Sequence, residues 1–226
     1  MGEGNSGGED NTPAGESDHD NVGAGITFFG INRLSISPSG MGFDPIQLTL
    51  ATVGMRVWFG TVGLDVGIAL GTTTQKDVNT CDMMCTGTAR DGGLNGGFGI
   101  GLHVGVPIAA ATSRHAALVI IPELGFQYGG ATVFQPGDPI YDISLSGIAI
   151  DVGVKVGGEI HFGGIGVPNL SLQVAIGLGL RYTKTTAENA APADDAFALG
   201  RETTNLSLRT IADDLLNGTV RLTYYF

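Results

Sequence analysis

The chain has 226 residues, 38 of them glycine, and is 42% hydrophobic but only 15% charged, whereas a soluble domain carries about 7% glycine and about 25% charge. No Gly-X-Y period runs through it, and the apolar content is too high for wholesale disorder, so collagen and an unfolded chain are excluded. The net charge of -11 argues against a nucleic-acid partner, which needs a basic face.

Residues 1–24 hold six acids (Glu3, Glu9, Asp10, Glu16, Asp18 and Asp20) and no Lys or Arg, the composition of a disordered acidic tail. The remaining 16 acids and 11 bases leave residues 25–226 only mildly acidic. The start Met1-Gly2-Glu3 carries neither the basic nor the apolar stretch of a secretory signal. That leaves a cytosolic chain or one whose signal was replaced by an initiator Met, and the rest of the sequence favours the second.

From residue 25 the dominant signal is alternation with period 2, the mark of strands with two unlike faces. Two softer strands come first, over 25–36 and 46–59. In the second, the apolar set moves from Ile46, Leu48 and Leu50 to Val53, Met55, Val57 and Phe59, which predicts a bulge near Ala51-Thr52. Over 61–72 the even positions Val62, Leu64, Val66, Ile68 and Leu70 are aliphatic, while the odd ones are Gly63, Asp65, Gly67, Ala69 and Gly71. The loop 73–93 contains Cys81-Asp82-Met83-Met84-Cys85. Outside the cytosol such a close pair is most simply a disulfide, with a soft Cu(I) site of two Cys and two Met as the alternative.

A further strand places Phe98, Ile100, Leu102, Val104 and Val106 opposite Gly97, Gly99, Gly101, His103 and Gly105. A lipid-spanning helix would not sort its glycines by parity. Strands follow over 116–129, 143–162, 169–183 and 216–226, eight in all; Thr203 to Ala212 offers a strand of its own, which would make the count ten.

Alternation alone also fits a soluble barrel or sandwich. In the six clear strands, however, the seven charges Asp65, Glu123, Asp151, Lys155, Glu159, Arg181 and Arg221 all fall on the odd, non-aliphatic face, the lipid-out, polar-in rule of transmembrane barrels. The upper connections at 37–45, 73–93, 130–142 and 184–215 are long and the lower ones near 60, at 107–115 and at 163–168 are short, except that 37–45 only equals 107–115 in length, and this is the outer-membrane pattern of long upper loops and short lower turns. The aromatics Phe28, Phe29, Trp58, Phe59, Phe162, Tyr224, Tyr225 and Phe226 lie at predicted lower ends. Phe98, Phe126, Tyr128, Tyr141 and Tyr182 lie toward upper ends, and the two sets form the girdles expected at membrane interfaces.

The terminal run Thr219-Val220-Arg221-Leu222-Thr223-Tyr224-Tyr225-Phe226 is an alternating strand ending on an aromatic. With these patterns, the sequence resembles the bacterial outer-membrane β-barrel superfamily, specifically its small eight-stranded OmpA/OmpX-type members. The resemblance implies an all-β, closed, antiparallel eight-stranded transmembrane barrel over 25–226, with loops extracellular and termini periplasmic. Its partners would be outer-membrane lipid and the barrel-assembly machinery, with Tyr224 and Phe226 acting as the assembly signal.

The inward set is expected to comprise Arg33, Arg56, Asp65, Glu123, Asp151, Lys155, Glu159, Arg181 and Arg221, with His103 and His161 among them. Opposite charges there should pair, because unpaired buried charge is costly. Inward glycines could instead leave a narrow wet passage. Catalysis finds no base, nucleophile and acid together at the upper rim, so no enzyme is expected. No cofactor motif is visible; the acid pairs Asp194-Asp195 and Asp213-Asp214 read more simply as solvated loop charge than as a cation site. The expected role is structural or surface-interacting (adhesion-like), with an extracellular ligand or partner held by the loops. A narrow porin-like channel is the alternative.

Overall fold

The structure, a computed structural model, describes residues 23–36, 46–76, 94–134, 142–189, 200–210 and 220–226. The tail to residue 22, Cys81, Cys85, both acid pairs and most of the expected upper loops lie outside these residues. The described residues are almost wholly antiparallel strand: β1 (Ala24–Ile36), β2 (Ile46–Phe59), β3 (Val62–Lys76), β4 (Leu94–Gly105), β5 (Ile108–Thr112), β6 (Ala116–Phe134), β7 (Asp142–His161), β8 (Leu170–Asn189), β9 (Gly200–Thr210) and β10 (Val220–Tyr225). None of the described helices is long and apolar enough to cross a membrane, which has no bearing on crossing by strands.

These ten segments occupy a ring of eight. Pairing runs from β10 through β1, β2, β3, β4, β6, β7 and β8, and β8 pairs back to β10. β5 continues the β4 position below a break at Pro107, which has no N–H for the ladder, and it pairs with β6 and touches β3. β9 and β10 divide β8 between them: β9 pairs with Leu178 to Glu188, and β10 with Leu170 to Val174. The separate strand expected near 203–212 therefore exists without adding a position to the ring.

The lower end carries the short turns. Gly60, at φ +69, makes the two-residue turn between β2 and β3, and a 3-10 turn at Phe162–Ile165 joins β7 to β8. The strands climb further than the apolar alternation predicts, to Lys76 on β3, Phe134 on β6 and Asn189 on β8.

The reason is a change of polarity along each strand. Around the lower and middle ring, outward positions form an exposed apolar belt, including Val62 to Leu70 on β3, Phe98 to Val104 on β4, Ile150 to Val156 on β7 and Val174 to Tyr182 on β8. Higher up the faces exchange character. Ser144, Lys184, Thr186 and Glu188 now point outward, while Ile143, Leu145 and Ala187 are buried inside. A reading that seeks apolar residues on the outer face stops at that exchange.

β2 shows the same exchange and corrects an expectation. Its burial alternates without interruption, with Leu48, Leu50, Thr52, Arg56 and Trp58 inward and Val53, Met55 and Phe59 outward. No bulge lies at Ala51-Thr52. The irregularity sits across the ladder on β1, where Phe28 pairs with Val53 but Gly30 pairs with Thr52, leaving Phe29 as the extra residue. Gly30, at φ +110, supplies the backbone conformation that the bulge requires.

Two further corrections follow from facing. The bulge reverses the phase of β1, so Leu34 and Ile36 enter the core and Arg33 is exposed beside Thr49 on the outer wall. Phe29, Trp58 and Tyr225 also point inward rather than into a girdle. Phe59, Tyr224 and Phe226 remain on the outer face below, and Phe98, Phe126 and Tyr182 above.

Candidate functional site

The interior is the chemically dense part of the molecule, and strand parity builds it. Arg56, Asp65, Glu123, Asp151, Lys155, Glu159, Arg181 and Arg221 all lie on inward positions of six different strands, and cross-ring contacts order them into layers.

The floor is a small apolar cluster of Trp58, Ala109, Val119, Ile121 and Tyr225. The Trp58 indole donates to the Tyr225 hydroxyl at 3.0 Å, and that hydroxyl donates to Glu159 Oε1 at 2.8 Å. Ser171 Oγ donates to the same carboxylate oxygen at 2.6 Å.

Directly above lies an ionic layer. Arg56 grips Asp65 with two parallel hydrogen bonds, Nε to Oδ1 at 2.7 Å and Nη2 to Oδ2 at 2.9 Å, and its Nη1 reaches Glu159 at 2.9 Å. Arg221 bridges Asp65 at 2.9 Å and Glu123 at 2.8 Å, and Lys155 completes the chain to Glu123 at 2.6 Å. Arg56, Asp65 and Glu159 are fully buried. Three cations against three carboxylates make the layer neutral, and multiple charge-assisted bonds offset the desolvation of each member. The guanidinium of Arg56 also lies 5.7 Å from the Trp58 ring, and that of Arg221 lies 5.3 Å from Phe29.

Next comes a cavity of about 100 Å³ whose wall includes Phe29, His103, Gln127, Asp151, Arg181 and Arg221. Arg181 holds Asp151 in a second two-bond pair, at 2.6 and 2.8 Å, and donates from Nη1 to the Arg33 carbonyl at 3.1 Å. Thus Arg33 reaches the site through its backbone, not its charge. The Nε2 of His103, Oε1 of Gln127 and Nε of Arg221 are buried without a hydrogen-bond partner, the setting in which proteins hold internal water.

The top is an apolar plug. Leu34, Ile36, Leu48, Leu50, Ile143 and Leu145 converge from β1, β2 and β7 with Ala131, Ala149 and Ala187. Glycine on the opposite wall makes room for them. A Cβ on Gly129 would fall 2.8 Å from Leu34 Cδ2, and one on Gly99 would fall 3.0 Å from Leu50 Cδ2. Lower down, a Cβ on Gly67 would collide with Phe29 at 2.9 Å. These inward glycines are spaces that opposing side chains fill.

Trp58, Tyr225, Ser171 and Gln127 belong to the site although the charge pattern did not single them out. Trp58 and Tyr225 share the parity of Arg56 and Arg221 on their own strands, and that was the available signal. Phe29 had none, because the bulge hides its facing. Among the described residues no group of three or more His, Cys, Asp or Glu could hold a metal ion. Tyr224 and Phe226 lie apart from the lumen, exposed on and just beyond β10. No protein-family model, curated protein or solved structure matches the chain.

Proposed function

We propose that the chain is a bacterial outer-membrane β-barrel, closed and lipid-embedded, whose sealed lumen makes it a rigid membrane scaffold for the connections above it. The observation that carries this reading is the layered lumen: apolar floor, ionic layer and apolar plug obstruct the axis at successive levels.

The stagger of the ring supports closure. From Thr27 the register steps through Gly54, Gly67, His103, Gly125, Asp151 and Arg181. Extended along the register of β10, it returns to β1 about ten residues higher. At about 3.3 Å per residue and about 4.8 Å between strands, that stagger over eight strands tilts them by about 40°, inside the range of real barrels. The apolar outward runs from Val62 to Leu70 and from Leu170 to Tyr182 then rise about 20 to 30 Å, bracketing the roughly 25 Å lipid band of outer-membrane barrels. Among the described residues the outward positions of that belt on β3, β4, β7 and β8 carry no charge, and on β1 Arg33 is exposed two positions above Ile31.

In this orientation the lower turns and the C-terminal end of β10 face the periplasm. Tyr224 and Phe226, exposed on the outer wall of the closing strand, suit the assembly signal read before closure. A surface partner would meet the upper loops. The rival reading, a narrow porin-like channel, draws on the mid-lumen cavity, but passage would require the ionic layer and the apolar plug both to part. Planar-bilayer recording tests the choice: no steady single-channel openings are expected, and regular openings from the purified chain would overturn the sealed lumen.

A further inference from the structure

A second concavity lies on the outer wall, a groove of about 340 Å³ at the upper edge of the apolar belt, at the small end of ligand-pocket sizes. Its floor is low because Gly96 and Gly130 stand there without side chains, and a Cβ on Gly96 would meet nothing within 4 Å. Its lower wall is aromatic. The rings of Phe98 and Tyr128 lie 6.1 Å apart, crossed at 61°, and Phe98 is 51% exposed.

The upper wall is made of hydroxyls in successive outward-facing register rows. Ser146 pairs with Thr186 beside Gly130, and two residues higher, past the inward row of Ala131, Leu145 and Ala187, Thr132, Ser144 and Glu188 stand side by side. Among the described residues no cation lines the groove. The neighbouring Lys184 is committed to Glu202 at 2.9 Å.

This donor set discriminates between ligand chemistries. In the described lining the carboxylate of Glu188 stands without a cation, which disfavours phosphate and other anions. Hydroxyls that both donate and accept, a carboxylate that accepts, and an aromatic wall offering apolar contact suit a neutral sugar ring, which presents hydroxyls on its edge and C–H groups on its face. The groove also straddles the level where apolar wall gives way to polar wall, which under the membrane reading above is the depth of lipid headgroups. We propose that it binds the uncharged glycosyl headgroup of a lipid in the outer leaflet, an inference that rests on that reading.

Native mass spectrometry of the detergent-folded full chain, offered monogalactosyl diacylglycerol or phosphatidylglycerol, tests the proposal. The galactolipid is expected to be retained about tenfold better. Phe98→Ala and the double variant Ser144→Val/Ser146→Val, checked for folding by unboiled gel mobility, should each lose about that factor. Equal retention of the two lipids, or full retention by the folded double variant, overturns the proposal. Displacement of the galactolipid by an equal concentration of methyl β-galactoside overturns the lipid source and assigns the groove to a free saccharide. Failure of the chain to float with phosphatidylcholine vesicles would instead overturn the membrane reading, so the two failures are distinguishable.

Discussion

Arg56 is the residue on which the lower lumen turns. It is fully buried, bonded twice to Asp65 and once to Glu159, and stacked toward Trp58. Removing one member of such a cluster strands its partners, so Arg56→Ala is expected to cost about 3–5 kcal/mol, measured by urea unfolding of vesicle-inserted protein. A loss below 1 kcal/mol would mean that the ionic layer is not a structural unit. The parity of its own strand made this residue legible, since Arg56 stands opposite the apolar set Val53, Met55, Val57 and Phe59, as the seven odd-face charges of the clear strands stand opposite theirs. Arg33 was misread for an equally local reason: a single extra residue at Phe29 reverses every facing above it. Composition could not reveal that bulge, and the glycine that permits it, Gly30, is one among 38.

At the scale of elements, the strand cores were legible and the strand tops were not. Alternation locates a strand while its outer face is apolar, as from Val62 to Leu70. Above the belt, Leu48, Leu50, Ile143 and Leu145 turn inward and hydroxyls turn outward, so the same period continues with its sign reversed. The shift of apolar residues within β2 is this reversal rather than a slip in register. On β1, β2, β7 and β8 a polar collar therefore stands above an apolar belt, and under the membrane reading the two face different solvents. Arginine scanning separates them. Val154→Arg in the belt should destabilise the inserted protein by about 2–4 kcal/mol, and Gln47→Arg on the collar by about 0–1 kcal/mol. Equal costs in a vesicle unfolding titration would place both positions in the same medium.

For the whole molecule, part of the glycine excess belongs with the filled interior. Inward glycines on β3, β4 and β6 face Phe29, Leu34, Leu48 and Leu50 from across the ring, so the lumen is filled by opposing side chains over much of its height. Sequence could show that the glycines were sorted to one face, but whether they left a passage depended on contacts between strands distant in sequence. The ring itself is held at its closing seam by β10 against β1, where Thr27 and Thr223 share a hydrogen bond of 3.0 Å and the Phe226 amide donates to the Ala24 carbonyl at 3.0 Å. The central claim, a closed barrel stable in lipid, is tested most directly by gel mobility after folding into phosphatidylcholine vesicles. The account predicts that the unboiled protein runs as a compact, faster band in dodecyl sulfate and shifts to its full apparent mass on boiling. Identical migration of the two samples would contradict it.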